Sequence, residues 1–98
     1  MTDVSFIRFC KEAVTDYVNE HLDKTDNAEI TPNDVYVVWY CKTLQNWKAL
    51  VSTTLPDGRY YEITHNGDKR ESYIDVYQKW ENRVIEHTAG SDEWNERE

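Results

Sequence analysis

The stretch VYVVWYCKT, residues 35–43, decides the fold, because it carries the strongest strand signal in the chain. β-Branched and aromatic side chains fill it, and such side chains favour extended backbone. Two further stretches of this character follow at 47–55 (WKALVSTTL) and 59–65 (RYYEITH). Short turn sequences separate the three stretches. The pattern therefore predicts a three-stranded antiparallel meander.

Helical periodicity flanks this meander on both sides. Upstream, apolar residues recur at three- and four-residue steps over residues 3–23, and Thr2 or Asp3 can cap the start of that helix. Downstream, Asp68 and Glu71 have the spacing of a capping box, which predicts a second helix that ends near His87. Its apolar face is formed by Tyr73, Tyr77, Trp80 and Val84.

The expected fold class is α+β, in the order α-β-β-β-α, with the three-stranded antiparallel meander packed with two helices. The chain has 98 residues, which fits one domain. We expect a single α+β domain over residues 1–87 and a loose acidic C-terminal tail over residues 88–98. An isolated Trp94 in that tail either docks back on the domain or serves as a short linear anchor.

Two helices on one face of a sheet leave the other face uncovered. With a tight turn at Gln45-Asn46, side-chain alternation sorts the strands into two faces. The more aliphatic face is assigned to the helices: Val35, Val37, Trp39, Cys41, Leu50, Tyr61 and Ile63. The uncovered face receives Tyr36, Val38, Tyr40, Trp47, Ala49, Val51, Leu55 and Tyr60.

The uncovered face is too apolar for an ordinary solvated surface. It predicts a protein-binding surface, covered by the tail, by a second copy of the chain or by a partner protein. The residues expected to contribute to binding are Tyr36, Tyr40, Trp47, Tyr60 and Trp94.

The charge balance limits the classes of partner that the protein is expected to bind. Nineteen Asp and Glu oppose eleven Lys and Arg, which gives a net charge of −8. That charge repels phosphate backbones and anionic membrane surfaces, so neither direct nucleic-acid binding nor membrane binding is expected. The order of elements is that of double-stranded RNA-binding domains, but the second helix would begin Asp68-Lys69-Arg70-Glu71, which is mixed in sign. The balance suits solubility, a basic protein partner or mimicry of a nucleic acid.

No motif in the chain predicts catalysis, a cofactor or a metal site. The histidines His21, His65 and His87 are far apart and lack metal-ligand spacing. There is no glycine-rich phosphate loop and no nucleophile elbow. Cys10 and Cys41 are expected to be buried free thiols of a cytoplasmic protein, with a disulfide as the alternative. The chain also has no apolar run of the length that a membrane span needs.

The amino-acid sequence of the predicted strands and turns resembles that of an uncharacterised family of small proteins encoded by phages and prophages of Gram-positive bacteria. The resemblance covers residues 5–87 and has no activity attached to it. The segments that carry it are DVYVVWYCKTLQN (34–46), KAL (48–50), STT (52–54), PDG (56–58), YYE (60–62) and NGD (66–68).

The resemblance implies a bacterial cytoplasm during infection, where small acidic phage proteins often bind and block a host protein. The expected function is that of a non-enzymatic phage accessory protein that binds and inhibits a bacterial host or defence protein, such as a nucleic-acid-binding one. The alternative is a homodimeric structural or assembly protein. An enzyme or a nucleic-acid binder is the third hypothesis, and a mobility-shift assay at low salt would test for nucleic-acid binding.

Overall fold

The first element, helix α1, spans Asp3–His21. The computed structural model of the protein describes residues 1–21 and 29–87. Thr2 caps α1, as expected. Its Oγ1 accepts a hydrogen bond from the Ser5 backbone N–H at 3.2 Å, and the Ser5 hydroxyl oxygen accepts one from the Thr2 N–H at 2.8 Å. The buried stripe follows the four-residue steps of the sequence: Phe6, Cys10, Val14 and Val18.

Two hydrogen bonds from α1 and a short turn position the chain just before the first strand of the sheet. Asn19 on α1 exchanges two hydrogen bonds of 2.9 Å with the backbone of Ile30, which places the Ile30 side chain in the core. A 3₁₀ turn at Pro32–Asp34 follows. The Asp34 carboxylate accepts the Thr31 N–H at 2.9 Å and so closes this turn.

Four antiparallel strands form one sheet in the order β1-β2-β3-β4. Within the described residues, each strand pairs only with its neighbours in the sequence. The strands are β1 (Val35–Thr43), β2 (Asn46–Thr53), β3 (Arg59–Asn66) and β4 (Glu71–Gln78). Turns at Leu44-Gln45 and around Gly58 connect the first three, and Gly58 has the positive φ of 69° expected of it.

The predicted fold class, α-β-β-β-α, is wrong at the second helix. Residues 71–78 form the fourth strand, and residues 79–87 have no regular structure. Asp68 does not cap a helix, because its N–H and that of Lys69 donate to the Asn66 side-chain oxygen at 3.1 and 3.2 Å, which builds a turn. The sequence ESYIDVYQ alternates as well as it repeats at four, and pairing with β3 satisfies the backbone groups along one edge of the strand.

Helix α1 packs on one side of the sheet, over β1 and β2. Its Phe6 ring lies 5.1 Å from the Trp47 ring, centroid to centroid, and its Tyr17 ring meets Tyr61 edge-on at 5.9 Å. The core on this side of the sheet consists of Phe6, Cys10, Val14, Val18, Ile30, Val35, Trp47, Ala49, Val51, Tyr61 and Ile63. We call this the helix side of the sheet.

A β-bulge in β1 changes which side chains reach the helix side. Val37 pairs with Val51, but Trp39 pairs with Leu50, so Val38 is an extra residue. Beyond the bulge the alternation is reversed. Tyr40 therefore lies on the helix side, where its hydroxyl donates to the Asp3 carboxylate at 3.3 Å.

Candidate functional site

The other side of the sheet, which we call the open face, is not covered by any element that the structure describes in residues 1–21 and 29–87. Cross-strand partners project from the same face, so the register gives its rows directly. From one end to the other, the rows are Tyr36-Ser52-Tyr60-Tyr77, Trp39-Leu50-Glu62-Asp75, Cys41-Lys48-Thr64-Tyr73 and Thr43-Asn46-Asn66-Glu71.

Aromatic rings dominate the open face. Tyr36, Trp39, Tyr73 and Tyr77 are each between 42% and 50% exposed. Tyr60 lies between Tyr36 and Tyr77 in the first row and is half-buried. Tyrosine and tryptophan combine a large apolar ring with a polar tip, which is why they are enriched where proteins bind one another.

A charged group stands among the rings. The Lys48 ammonium lies 3.0 Å from the Glu62 carboxylate, and this bond raises the pKa of Lys48 above its ordinary value. Asp75 lies directly opposite Glu62 on β4. The Tyr73 hydroxyl donates to the Glu71 carboxylate, which raises the pKa of Tyr73.

Lys79 adds one more cation at the aromatic end of this face, because its ammonium lies 6.0 Å from the centre of the Tyr60 ring. The acidic groups of the open face lie along β3 and β4, and the apolar groups lie along β1 and across the first row.

The five residues predicted for binding do not come together. Tyr36 and Tyr60 lie on the open face, as the alternation indicates. Tyr40 lies on the helix side, and Trp47 is only 3% exposed in the core, so their assignment to the uncovered face is wrong. Trp94 lies outside the described residues.

The bulge at Val38 explains why these side chains lie on the opposite faces from those predicted, because it reverses the alternation within β1 and therefore in the part of β2 that pairs beyond it. The turn falls at Leu44-Gln45 instead of Gln45-Asn46, but this changes the pairing by two residues and leaves each side chain on the same face. Because of the bulge, Ala49 and Val51 lie on the helix side, whereas Trp39, Cys41 and Leu50 lie on the open face.

The sequence reasoning missed Trp39, Tyr73 and Tyr77 as members of the uncovered surface. For Tyr73 and Tyr77 a signal was present, since Tyr73, Asp75 and Tyr77 alternate with Ile74 and Val76 at the period of a strand. For Trp39 no such signal exists. Residues of β1 are apolar on both faces, so the sequence pattern does not show where a bulge reverses the alternation.

The described part of the chain shows neither a metal site nor a membrane-spanning helix. In residues 1–21 and 29–87, no group of three or more His, Cys, Asp or Glu side chains is placed to hold a metal ion. Among the helices in those residues, none is both long enough and apolar enough to cross a membrane.

Comparison with known proteins adds a family and no activity. No curated protein matches the chain, and no solved structure matches it. The model of a family of unknown function, DUF6275, matches residues 7–87, which include most of α1 and all four strands. The chain therefore belongs to the DUF6275 family of unknown function.

Proposed function

We propose that the protein is a non-enzymatic accessory protein of a phage or prophage, and that it binds and blocks a bacterial host or defence protein through its open face. The observation that carries the proposal is the group of half-exposed aromatic rings on the open face, which includes Tyr36, Trp39 and Tyr77. A small protein gains little from leaving so much aromatic surface in water unless another surface covers it. The phage origin rests on the resemblance of the strand segments alone.

The charges indicate a basic partner. The chain has a net charge of −8, and the open face itself carries Glu62, Glu71 and Asp75 against Lys48 and Lys79. A partner with an apolar centre and Lys or Arg at its margin would match both the rings and the carboxylates. Proteins that bind nucleic acids present such basic surfaces, which makes a nuclease or another nucleic-acid-binding protein the preferred target class.

The same charges disfavour the alternative, a homodimer that joins two open faces. Such a dimer would bring the carboxylates of two identical acidic faces together in a desolvated interface, which is costly without cations opposite them. Light scattering separates the two hypotheses. A monomer at micromolar concentration supports binding to a different protein, and a dimer that the Trp39→Ala variant dissolves supports the alternative.

The experiment compares two adjacent residues of β1. Trp39 lies on the open face and Tyr40 on the helix side, and both are about two-fifths exposed. The tagged protein captures its partner from a bacterial lysate, and the affinity of the purified partner is then measured for wild type, Trp39→Ala, Tyr77→Ala and Tyr40→Ala. If the open face binds, each open-face variant loses about thirtyfold in affinity, because a central aromatic anchor contributes about 2 kcal/mol.

The matched control is Tyr40→Ala, which should keep the wild-type affinity. An equal loss in Tyr40→Ala, or no loss in the other two variants, would exclude the open face as the binding surface. A salt series tests the electrostatic part. Affinity that does not change between low and high salt would rule out a contribution from the carboxylates.

A further inference from the structure

A cavity of about 310 Å³ lies on the helix side of the sheet, where the β1–β2 turn and the β3–β4 turn meet. We call it the hairpin cavity. Its lining residues are Met1, Lys42, Gln45, Trp47, His65, Gly67 and Arg70. Two cations and an imidazole thus line it, and among residues 1–21 and 29–87 no carboxylate does, in a chain with nearly twice as many acidic as basic residues.

The cations in the hairpin cavity lack acidic partners. Within residues 1–21 and 29–87, the ion pairs are Lys48 with Glu62 and Arg83 with Glu81, and neither Lys42 nor Arg70 takes part in one. Surface cations of an acidic protein ordinarily lie near carboxylates. Two that converge on one cavity without any carboxylate produce a local positive potential, which attracts an anion.

Contacts within the protein position two of the three groups, and the backbone conformation of the third is unusual. The Lys42 ammonium lies 5.1 Å above the centre of the buried Trp47 ring. His65 Nδ1 lies 2.7 Å from the Ser72 hydroxyl, which fixes the imidazole and leaves Nε2 as the nitrogen outside that bond. Arg70 has a φ of +56°, in the left-handed region, at the last residue before β4.

The two turns that border the cavity approach each other closely at Gly67. A Cβ built on this residue would clash with the carbonyl oxygen of Gln45. Glycine is therefore the residue that allows the two backbones to lie so close together. This contact brings the turn that carries Arg70 next to the hairpin that carries Lys42.

We propose that the hairpin cavity binds a small organic molecule through a phosphate monoester. Lys42 and Arg70 bring two charged donors to the cavity from the end of β1 and from the β3–β4 turn, and His65 at the end of β3 adds a third donor when its Nε2 carries a proton. A phosphate monoester offers three terminal oxygens pointing in different directions, whereas a carboxylate offers two in one plane. The cavity volume is at the lower end of the range for small-molecule sites, so it also has space for the organic group.

This site is independent of the proposed function, because it lies on the opposite side of the sheet from the open face. The test is a titration of the ¹⁵N-labelled protein with ribose 5-phosphate and with inorganic phosphate at low ionic strength, followed by amide chemical shifts. We expect saturable shifts with a dissociation constant of about 1 mM or below, centred on Lys42, His65, Gly67 and Arg70.

Charge-removing variants identify the site. Lys42→Gln and Arg70→Gln should each weaken ribose 5-phosphate binding at least about tenfold, because each removes a charged hydrogen-bond donor. The matched control is Lys69→Gln, which removes the same charge next to Arg70 at a residue that does not line the cavity. Unchanged shifts elsewhere in the spectrum of each variant show that the fold is retained.

Four results would overturn the proposal. These are no saturable shift with either phosphate compound, shifts spread evenly over the surface, an equal loss of affinity in Lys69→Gln, and acetate binding as tightly as phosphate. The last result would assign the cavity to carboxylates, for example to an acidic side chain of a partner protein. Failure of any of these arms leaves the proposal for the open face unaffected, since Trp39 and Tyr77 do not line the cavity.

Discussion

At the scale of single residues, the two tryptophans of the first hairpin have opposite roles. Trp47 is buried against Phe6 with the ring centroids 5.1 Å apart, while Trp39 is 42% exposed on the open face. Composition alone does not separate them, because both follow the same aromatic and β-branched pattern. Their positions in the sheet, and therefore the consequences of replacing them, depend on the register of β1 with β2.

We predict that Trp47→Ala lowers the free energy of unfolding by about 3–5 kcal/mol, because it removes a buried indole and leaves a cavity beside Phe6. Trp39→Ala should lower it by about 1 kcal/mol or less, since the lost ring was already half in water. Urea denaturation followed by circular dichroism measures both values. Equal losses in the two variants would contradict the faces assigned from the register.

The two cysteines also differ, although the sequence predicts both to be buried. Cys10, on α1, is fully buried in the core, and burial raises the pKa of its thiol to about 12. Cys41 is exposed on the open face, so the prediction is wrong for this residue, and both thiols are free. The bulge is again the reason, because without it Cys41 would point toward the helix.

We therefore predict that a thiol reagent at pH 8 labels one cysteine in the native protein and two in urea. Thiolate is the reactive form, and a thiol whose pKa is about 12 contains almost none at that pH. Mass spectrometry of the labelled protein gives the count, and a Cys41→Ser variant should take no label until it unfolds. Rapid native labelling of that variant at Cys10 would show that α1 opens readily.

At the scale of elements, the sequence determines α1 and the first three strands well. The predicted helix over residues 3–23 agrees with Asp3–His21 up to residue 21, and residues 22 and 23 lie outside the described residues. The predicted strand over residues 35–43 agrees with Val35–Thr43. The reason is that each has one clear period or composition. Residues 71–78 satisfy both periods, and only the free edge of β3 decides between them, which is information that lies elsewhere in the chain.

The bulge is the element that most affects the candidate site. We predict that deletion of Val38 lowers the free energy of unfolding by only about 1 kcal/mol or less. Val37 would still pair with Val51 and Trp39 with Leu50, so regular alternation keeps the side chains of β1 on their present faces once the extra residue itself is gone. The length-matched control is Val38→Thr, which keeps the extra residue and should also cost less than about 1 kcal/mol. Urea denaturation measures both values, and a much larger loss in the deletion variant alone would show that the fold depends on the bulge itself.

At the scale of the whole molecule, the surface divides into regions with different chemistry. Aromatic rings occupy the open face, cations line the hairpin cavity, and acidic groups outnumber basic ones over the chain. The sequence predicts the excess of acid and an apolar uncovered face. It does not predict the cavity, because Lys42, His65 and Arg70 are brought together only by the contact of two turns at Gly67.

Beyond β4 the chain presents further apolar groups. Trp80, Val84 and Ile85 are between 83% and 95% exposed. They follow β4 in the sequence. A partner that covers Tyr77, near the end of β4, is therefore also close to Trp80.

The outer edge of β4 has one more consequence. From Glu71 to Gln78 it contains no proline, no lysine and no bulge, which are three of the devices with which sheets usually prevent unwanted growth, and only Glu71 and Asp75 give it charge. No strand of the described residues pairs with its outward-pointing amides and carbonyls, so they can accept an additional strand from another polypeptide. For anyone who concentrates this protein, that border is where ordered aggregates would start, and a single lysine placed there is the simplest safeguard.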